Sequence, residues 1–149
     1  VLDTILMFLL SMVPVFELRG SMPLALVFTS IHPAIIFLIC VGLNILVIPI
    51  IFVGLELLAP PLTERSKIIR SIFDWFRRRS YNRKWGLVGL AAFVAVPLPG
   101  TGAWTGALIA YLLGMNRKRA ALAIAAGVIA AGIMVLVGVV SIITIIKIL

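Results

Sequence analysis

Glu17 and Arg19 stand two residues apart in a stretch of apolar residues, Phe16-Glu17-Leu18-Arg19-Gly20-Ser21-Met22-Pro23. In hydrocarbon a charge costs roughly 2.5 to 3.5 kcal/mol on insertion scales, so an acid and a base kept there point to function. A guanidinium holds a phosphate or carboxylate in a forked, charge-assisted contact, and a carboxylate can exchange a proton. The same two residues could instead close on each other and only shape the turn. They meet only if the backbone is unwound, because residues two apart do not share a helix face.

A second polar knot, Pro97-Leu98-Pro99-Gly100-Thr101-Gly102, offers backbone instead of charge. Pro97 and Pro99 remove donors and bar a continuous helix, while Gly100 and Gly102 allow a sharp turn and close approach. A helix starting near Thr101 would aim its N–H groups and positive dipole end at the break, an anion site by geometry. Thr101 and Thr105 add hydroxyls. Gly20 and Pro23 belong to the first knot, and Asn44 could line a cavity or join helices. Gly102 and Gly106 read equally well as close helix packing, and Trp104 and Tyr111 as packing residues.

The solvent for these knots follows from composition. Of 149 residues 63% are hydrophobic and 12% charged, in uncharged runs long enough to cross hydrocarbon, which makes a water-soluble fold untenable. Interrupted helices survive in a bilayer where their freed backbone is buried in protein or faces a watery cavity, and transporters put substrate sites at such breaks. The single Cys40 excludes a disulfide framework and a cysteine-rich metal site. His32 is the sole histidine, no nucleophile and base converge, and neither an enzyme nor a cofactor is expected. The apolar start lacks a positively charged leader pattern and is read as part of the fold.

The net charge of +8 is concentrated in two stretches, Arg65 to Lys84 and Arg117 to Arg119. Short basic loops stay cytoplasmic, so both are placed on one face. The uncharged run between them, 86–114, must then enter and leave from that face. Its arms are each about 16 Å long, half of a ~30 Å core, so the second knot becomes the tip of a re-entrant hairpin. Segment 34–58 spans, with Pro49 as a kink, and 119–147 spans back. Segment 1–30 is expected as a hairpin dipping in from the outer face, the alternative being one broken spanning helix. The fold class is thus all-α and polytopic, one membrane domain built as an inverted repeat of hairpin plus spanning helix. In the last span Ala123, Gly127 and Ala131 read as a helix contact face.

The linker 60–85 reads as a basic amphipathic helix. Thr63 is its expected cap, with Ile68, Ile69, Ile72, Phe73 and Phe76 on one side and Lys67, Arg70, Arg77 and Arg78 on the other. Such a helix lies in the membrane interface among anionic headgroups, with Trp75, Tyr81 and Trp85 as anchors. Its charge is read as facing membrane lipid and no nucleic acid.

The segment from Phe93 to Gly114 resembles the second half of DedA-type membrane proteins, in which a Pro-Gly tip is followed by G-x3-G-x4-Y-x2-G; Gly102, Gly106, Tyr111 and Gly114 match that spacing. With the Glu17-x-Arg19-Gly20-x-x-Pro23 knot and the short length, the chain looks most like the putative small multidrug export proteins, a compact branch of the DedA (SNARE-associated, VTT-type) superfamily. The resemblance implies two re-entrant hairpins, each followed by spanning helices, in a prokaryotic inner membrane. For activity it implies either proton-driven drug export or, from better-understood relatives, transfer of polyprenyl phosphate or phospholipid between leaflets. Relatives carry arginines around the second tip, where this chain has Val96, Thr101 and Gly102, so Arg19 is the one cation near either tip.

Of these activities a translocase of anionic lipid is the preferred expectation, using both tips as one midplane site, with lipid as partner and a homodimer as assembly. The alternatives are a proton-coupled small multidrug exporter, with Glu17 as its acid, and a membrane assembly factor without transport.

Overall fold

The computed structural model describes residues 2–14, 16–78, 83–98 and 100–148. Tyr81, Arg79 and Pro99 lie outside the described residues, as do the side chains of Thr63, Phe73, Phe76, Arg77, Arg78, Arg83, Lys84 and Trp85. The chain is 86% helix with no strand among the described residues. Among the described residues seven α-helices follow one another: α1 Leu2–Leu9, extended by a 3-10 turn Leu10–Met12, α2 Glu17–Phe28, α3 Pro33–Arg65, α4 Lys67–Arg78, α5 Arg83–Ala95, α6 Ala103–Leu112 and α7 Arg117–Ile148.

Two of these helices, α3 over Pro33–Pro61 and α7, are long and apolar enough to cross a membrane. Their outer faces carry Leu46, Leu57, Ile133, Val137, Ile142 and Ile145, each exposed over half or more of its surface. An apolar surface of that extent is an aggregation liability in water and costs nothing in lipid.

The two spans run antiparallel. Arg117 at the start of α7 pairs with Glu56 near the end of α3, and a Cβ on Gly132 would meet Phe37 and Val41 near the start of α3. Gly127 lies between these two contacts, level with the middle of Pro33–Pro61. There α5 leans on α7 so closely that a Cβ on Gly127 would stand 2.6 Å from the Ala91 carbonyl oxygen and 2.7 Å from Val94 Cβ. The missing side chain of Gly127 is what permits this approach; of the expected contact face Gly127 and Ala131 are buried and Ala123 is half-buried.

Each break is flanked by a pair of helices in contact: α1 with α2, and α5 with α6. The first break falls at Val13–Phe16, around Pro14, and not across 16–23 as the residue types suggest. Glu17 to Pro23 are helical because one proline removes one donor; Pro23 denies the Arg19 carbonyl its partner and the rest of α2 continues. For the same reason Pro60 and Pro61 do not end α3, which runs to Arg65. The next cap is therefore Ser66 in place of Thr63, its Oγ accepting from the Ile69 N–H at 3.5 Å. Along α4, Ile68, Ile72 and Trp75 face outward at helical spacing, beside exposed Lys67 and Arg70.

The core is a sheath of Leu18, Met22, Ile36, Cys40, Ile48, Val94, Ile124 and Val128 around the two breaks. It also encloses four buried polar residues, Ser11, Glu17, Ser21 and Asn44.

Candidate functional site

Glu17 opens α2 in a conformation that non-glycine residues seldom adopt, with φ +45°. It is the one such residue among those described, and a left-handed residue costs about 1–2 kcal/mol. The turn that imposes it is closed by the Glu17 N–H donating to Val13 at 2.9 Å and the Gly20 N–H to Phe16 at 2.8 Å. Ser21 Oγ donates back to the Glu17 carbonyl at 2.7 Å. The consequence is directional: the carboxylate swings toward the second break, and a partner two residues away comes within reach.

That carboxylate lands on the N-terminus of α6. Oε1 accepts from the Trp104 backbone N–H at 3.3 Å, and the space it fills is the space a Cβ on Gly102 would need. Gly102 is the N-cap residue of α6 and supplies no side-chain cap of its own. Glu17 takes over that duty from 85 residues away in the chain, where unpaired N–H groups and the positive dipole end favour an anion.

Arg19 serves the other side of the same break. Its Nη1 donates to Glu17 Oε2 at 2.7 Å, while Nη2 lies 2.7 Å from the Val94 carbonyl, 3.0 Å from Val96 and 3.3 Å from Thr101. Val94 lies in the last turn of α5 and Val96 just beyond it, so Arg19 stands at the negative end of that helix, sharing the Val96 carbonyl with the Leu98 N–H and the Thr101 hydroxyl. One ion pair from the first half thus closes both helix ends of the second. The side chains of the pair are 11% and 6% exposed. Taking them out of water is repaid only by this many well-placed partners. Arg19 Nε remains buried without one.

Trp104 is the site residue that the sequence reading missed, taking it as packing. Its backbone N–H serves Glu17, and its indole Nε1–H donates to the Met12 carbonyl at 3.0 Å, pinning α6 to the first break. The available signal was general: a buried indole N–H needs an acceptor. Asn44 extends this strut, its Nδ2 donating to the Ser11 carbonyl at 2.9 Å while Oδ1 stays buried and unpartnered.

The expected site residues separate into three groups. Glu17, Arg19, Thr101 and Gly102 meet at the junction, although the Thr101 hydroxyl is spent inside its own loop on Val96 and Leu98 at 2.7 and 2.8 Å. Gly20, Pro97 and Gly100 join Glu17, Arg19 and Phe16 in lining an open cleft of about 270 Å³ over the ion pair. The remaining three stand apart: Asn44 buttresses the first break, Pro23 lies along α2, and Thr105 lines a separate apolar cleft between α3 and α6. No group of three His, Cys, Asp or Glu among the described residues could hold a metal ion.

Chemically the junction is an anion site already filled by the protein's own carboxylate. A proton delivered to Glu17 would discharge the ligand of α6 and the counterion of Arg19 in one event. An external anion could reach the α6 terminus only by displacing Glu17.

Residues 17–134 match the model of a family described as "Putative small multi-drug export protein". No curated protein and no solved structure matches the chain.

Proposed function

This chain belongs to that small multi-drug export family, and we propose that it is a proton-coupled exporter of small molecules whose coupling group is Glu17. One observation carries the reading: the Glu17 carboxylate is shared between Arg19 and the α6 N-terminus where the two chain breaks meet, on the wall of an open cleft. Neutralising Glu17 discharges its contacts with Arg19 and the α6 N-terminus and leaves the Arg19–carbonyl and Trp104–Met12 bonds as the remaining ties, a weakened joint at which the cleft can open; losing the proton on the other face restores it. Each cycle thus couples the proton on Glu17 to the opening and closing of one joint.

The membrane setting of this mechanism is part of the proposal. The junction lies level with the middle of the α3 span, which supports reading α1–α2 and α5–α6 as re-entrant hairpins, related as an inverted repeat, with their tips near the midplane. The basic ends of α3 and α7 share one face, which supports the cytoplasmic placement of the linker and of residues 115–119 in an inner membrane. The kinship with DedA proteins belongs here too, as do a homodimer in membrane lipid and the absence of any enzymatic step. Transfer of an anionic lipid is the weaker reading, because the phosphate site expected at Arg19 and the α6 terminus is occupied by Glu17.

The test is transport by the full chain in proteoliposomes under an imposed pH gradient, with tetraphenylphosphonium as probe. Wild type should move it against its gradient, and Glu17→Gln should lose at least tenfold of the gradient-driven flux while remaining folded. Gradient-driven flux unchanged in Glu17→Gln would overturn the mechanism. Leaflet transfer of a fluorescent anionic phospholipid that requires Arg19, without probe transport, would establish the lipid reading in its place.

A further inference from the structure

We propose that the apolar cleft between α3 and α6 is the binding site for the apolar body of the exported molecule, an inference that rests on the exporter reading above. The cleft arises from one missing side chain. Ile50, Gly54 and Leu58 recur every fourth residue and form one stripe of α3, facing Trp104 and Leu108 on α6. In the middle of that stripe Gly54 has nothing within 4 Å of where its Cβ would stand. The gap is a half-open groove of about 420 Å³ rimmed by exposed Ile50, Leu58 and Leu108, and its volume falls within the ~300–1,000 Å³ of sites that take drug-sized ligands. Among the described residues its one side-chain polar group besides the indole N–H is the Thr105 hydroxyl, and the indole N–H is turned to Met12.

These walls define the ligand class. A charge buried among them would lack a partner, so the cleft selects a compact body of aromatic or branched aliphatic groups whose charge, if any, is shielded or held outside. Trp104 offers its ring for stacking. A phospholipid chain is the poorer occupant, since the stripe from Ile50 to Leu58 extends only about 12 Å at helical rise.

Trp104 also connects the cleft to the coupling group. The residue whose ring lines the cleft is the one whose backbone N–H holds Glu17. A molecule that displaces the indole from Met12 loosens the start of α6, where the Glu17 bond is made, which gives substrate and proton a shared element to act on.

The experiment uses the full chain in phosphatidylcholine nanodiscs with Trp75→Phe and Trp85→Phe, leaving Trp104 as the sole tryptophan. Tetraphenylphosphonium should quench its fluorescence saturably. Gly54→Leu, which fills the cleft from α3 into open space, should weaken that binding and slow transport at least tenfold at an unchanged melting temperature. Leu108→Phe, narrowing it from the half-open α6 wall, should act in the same direction. Gly138→Leu, another addition into open space but on α7, should change neither. Folded Gly54→Leu and Leu108→Phe proteins that bind and transport as wild type would overturn the cleft site, while Glu17-dependent transport would keep the exporter reading. Quenching of Trp104 by brominated acyl chains that tetraphenylphosphonium does not relieve would assign the cleft to lipid and also overturn the site. Gly54-dependent binding with no transport by wild type would sustain the site and remove the exporter reading.

Discussion

The Glu17 carboxylate lies where a side chain on Gly102 would begin. Gly102 is therefore the seat of an acid supplied by the other half of the chain, and it leaves no room for a side chain of its own. The contact also separates two roles that glycine near a helix start can serve. Here the backbone geometry of Gly102, φ −86°, is open to any residue, so the missing Cβ is what counts.

A methyl group at Gly102 forces the carboxylate off Trp104 or off Arg19. Gly102→Ala should destabilise the protein by about 1–3 kcal/mol, the range for overpacking a filled site, and should uncouple transport. The same substitution in a Glu17→Ala background should cost much less. A double-mutant cycle on thermal unfolding measures the difference; additive costs would show that the two residues do not contend for one space. Gly127→Ala should be at least as damaging, because its new methyl meets the Ala91 backbone carbonyl, which cannot rotate away.

Arg19 binds one carboxylate and three carbonyls with a planar fork. Arg19→Ala should cost about 3–5 kcal/mol, since it leaves Glu17 buried without its counterion. Arg19→Lys should recover part of that loss, a point charge reaching Glu17 or the α5 end but not both. Glu17→Gln with Arg19→Gln should be more stable than Arg19→Ala alone, because it leaves no unpaired charge. Melting temperatures of the four proteins decide this, and a full recovery by lysine would mean that the guanidinium shape is irrelevant.

The Arg117 and Glu56 pair, 3.0 Å apart, sets the end of α3 beside the start of α7. Single cysteines at Asn116 and Ser80, in a Cys40→Ser background, should both label from the cytoplasmic side only. Glu56→Cys with Arg117→Cys should cross-link on mild oxidation. Labelling of Asn116 from outside would mean that 86–114 crosses once, and the inverted repeat would fall.

Much of this architecture is written in local composition. Two apolar spans, two breaks and a basic amphipathic linker follow from hydropathy, proline and charge, which act over a few residues and so can be read from a few residues. The exclusion of water also singles out Glu17 and Arg19 without any coordinates. Even the idea of an anion at the start of α6 follows from helix electrostatics alone.

What tertiary structure decided was the identity of that anion. The helix end that the sequence offers to a phosphate is filled by Glu17, through a hydrogen bond between residues 87 apart in the chain, and no local pattern encodes a contact at that distance. Trp104 was opaque for the same reason, since its importance lies in reaching Met12 across 92 residues. The break at Pro14 and the passage of α2 through Pro23 and of α3 through Pro60 and Pro61 show the converse. A proline removes one hydrogen bond wherever it stands, and whether the helix bends, ends or continues depends on what the surrounding protein packs against it.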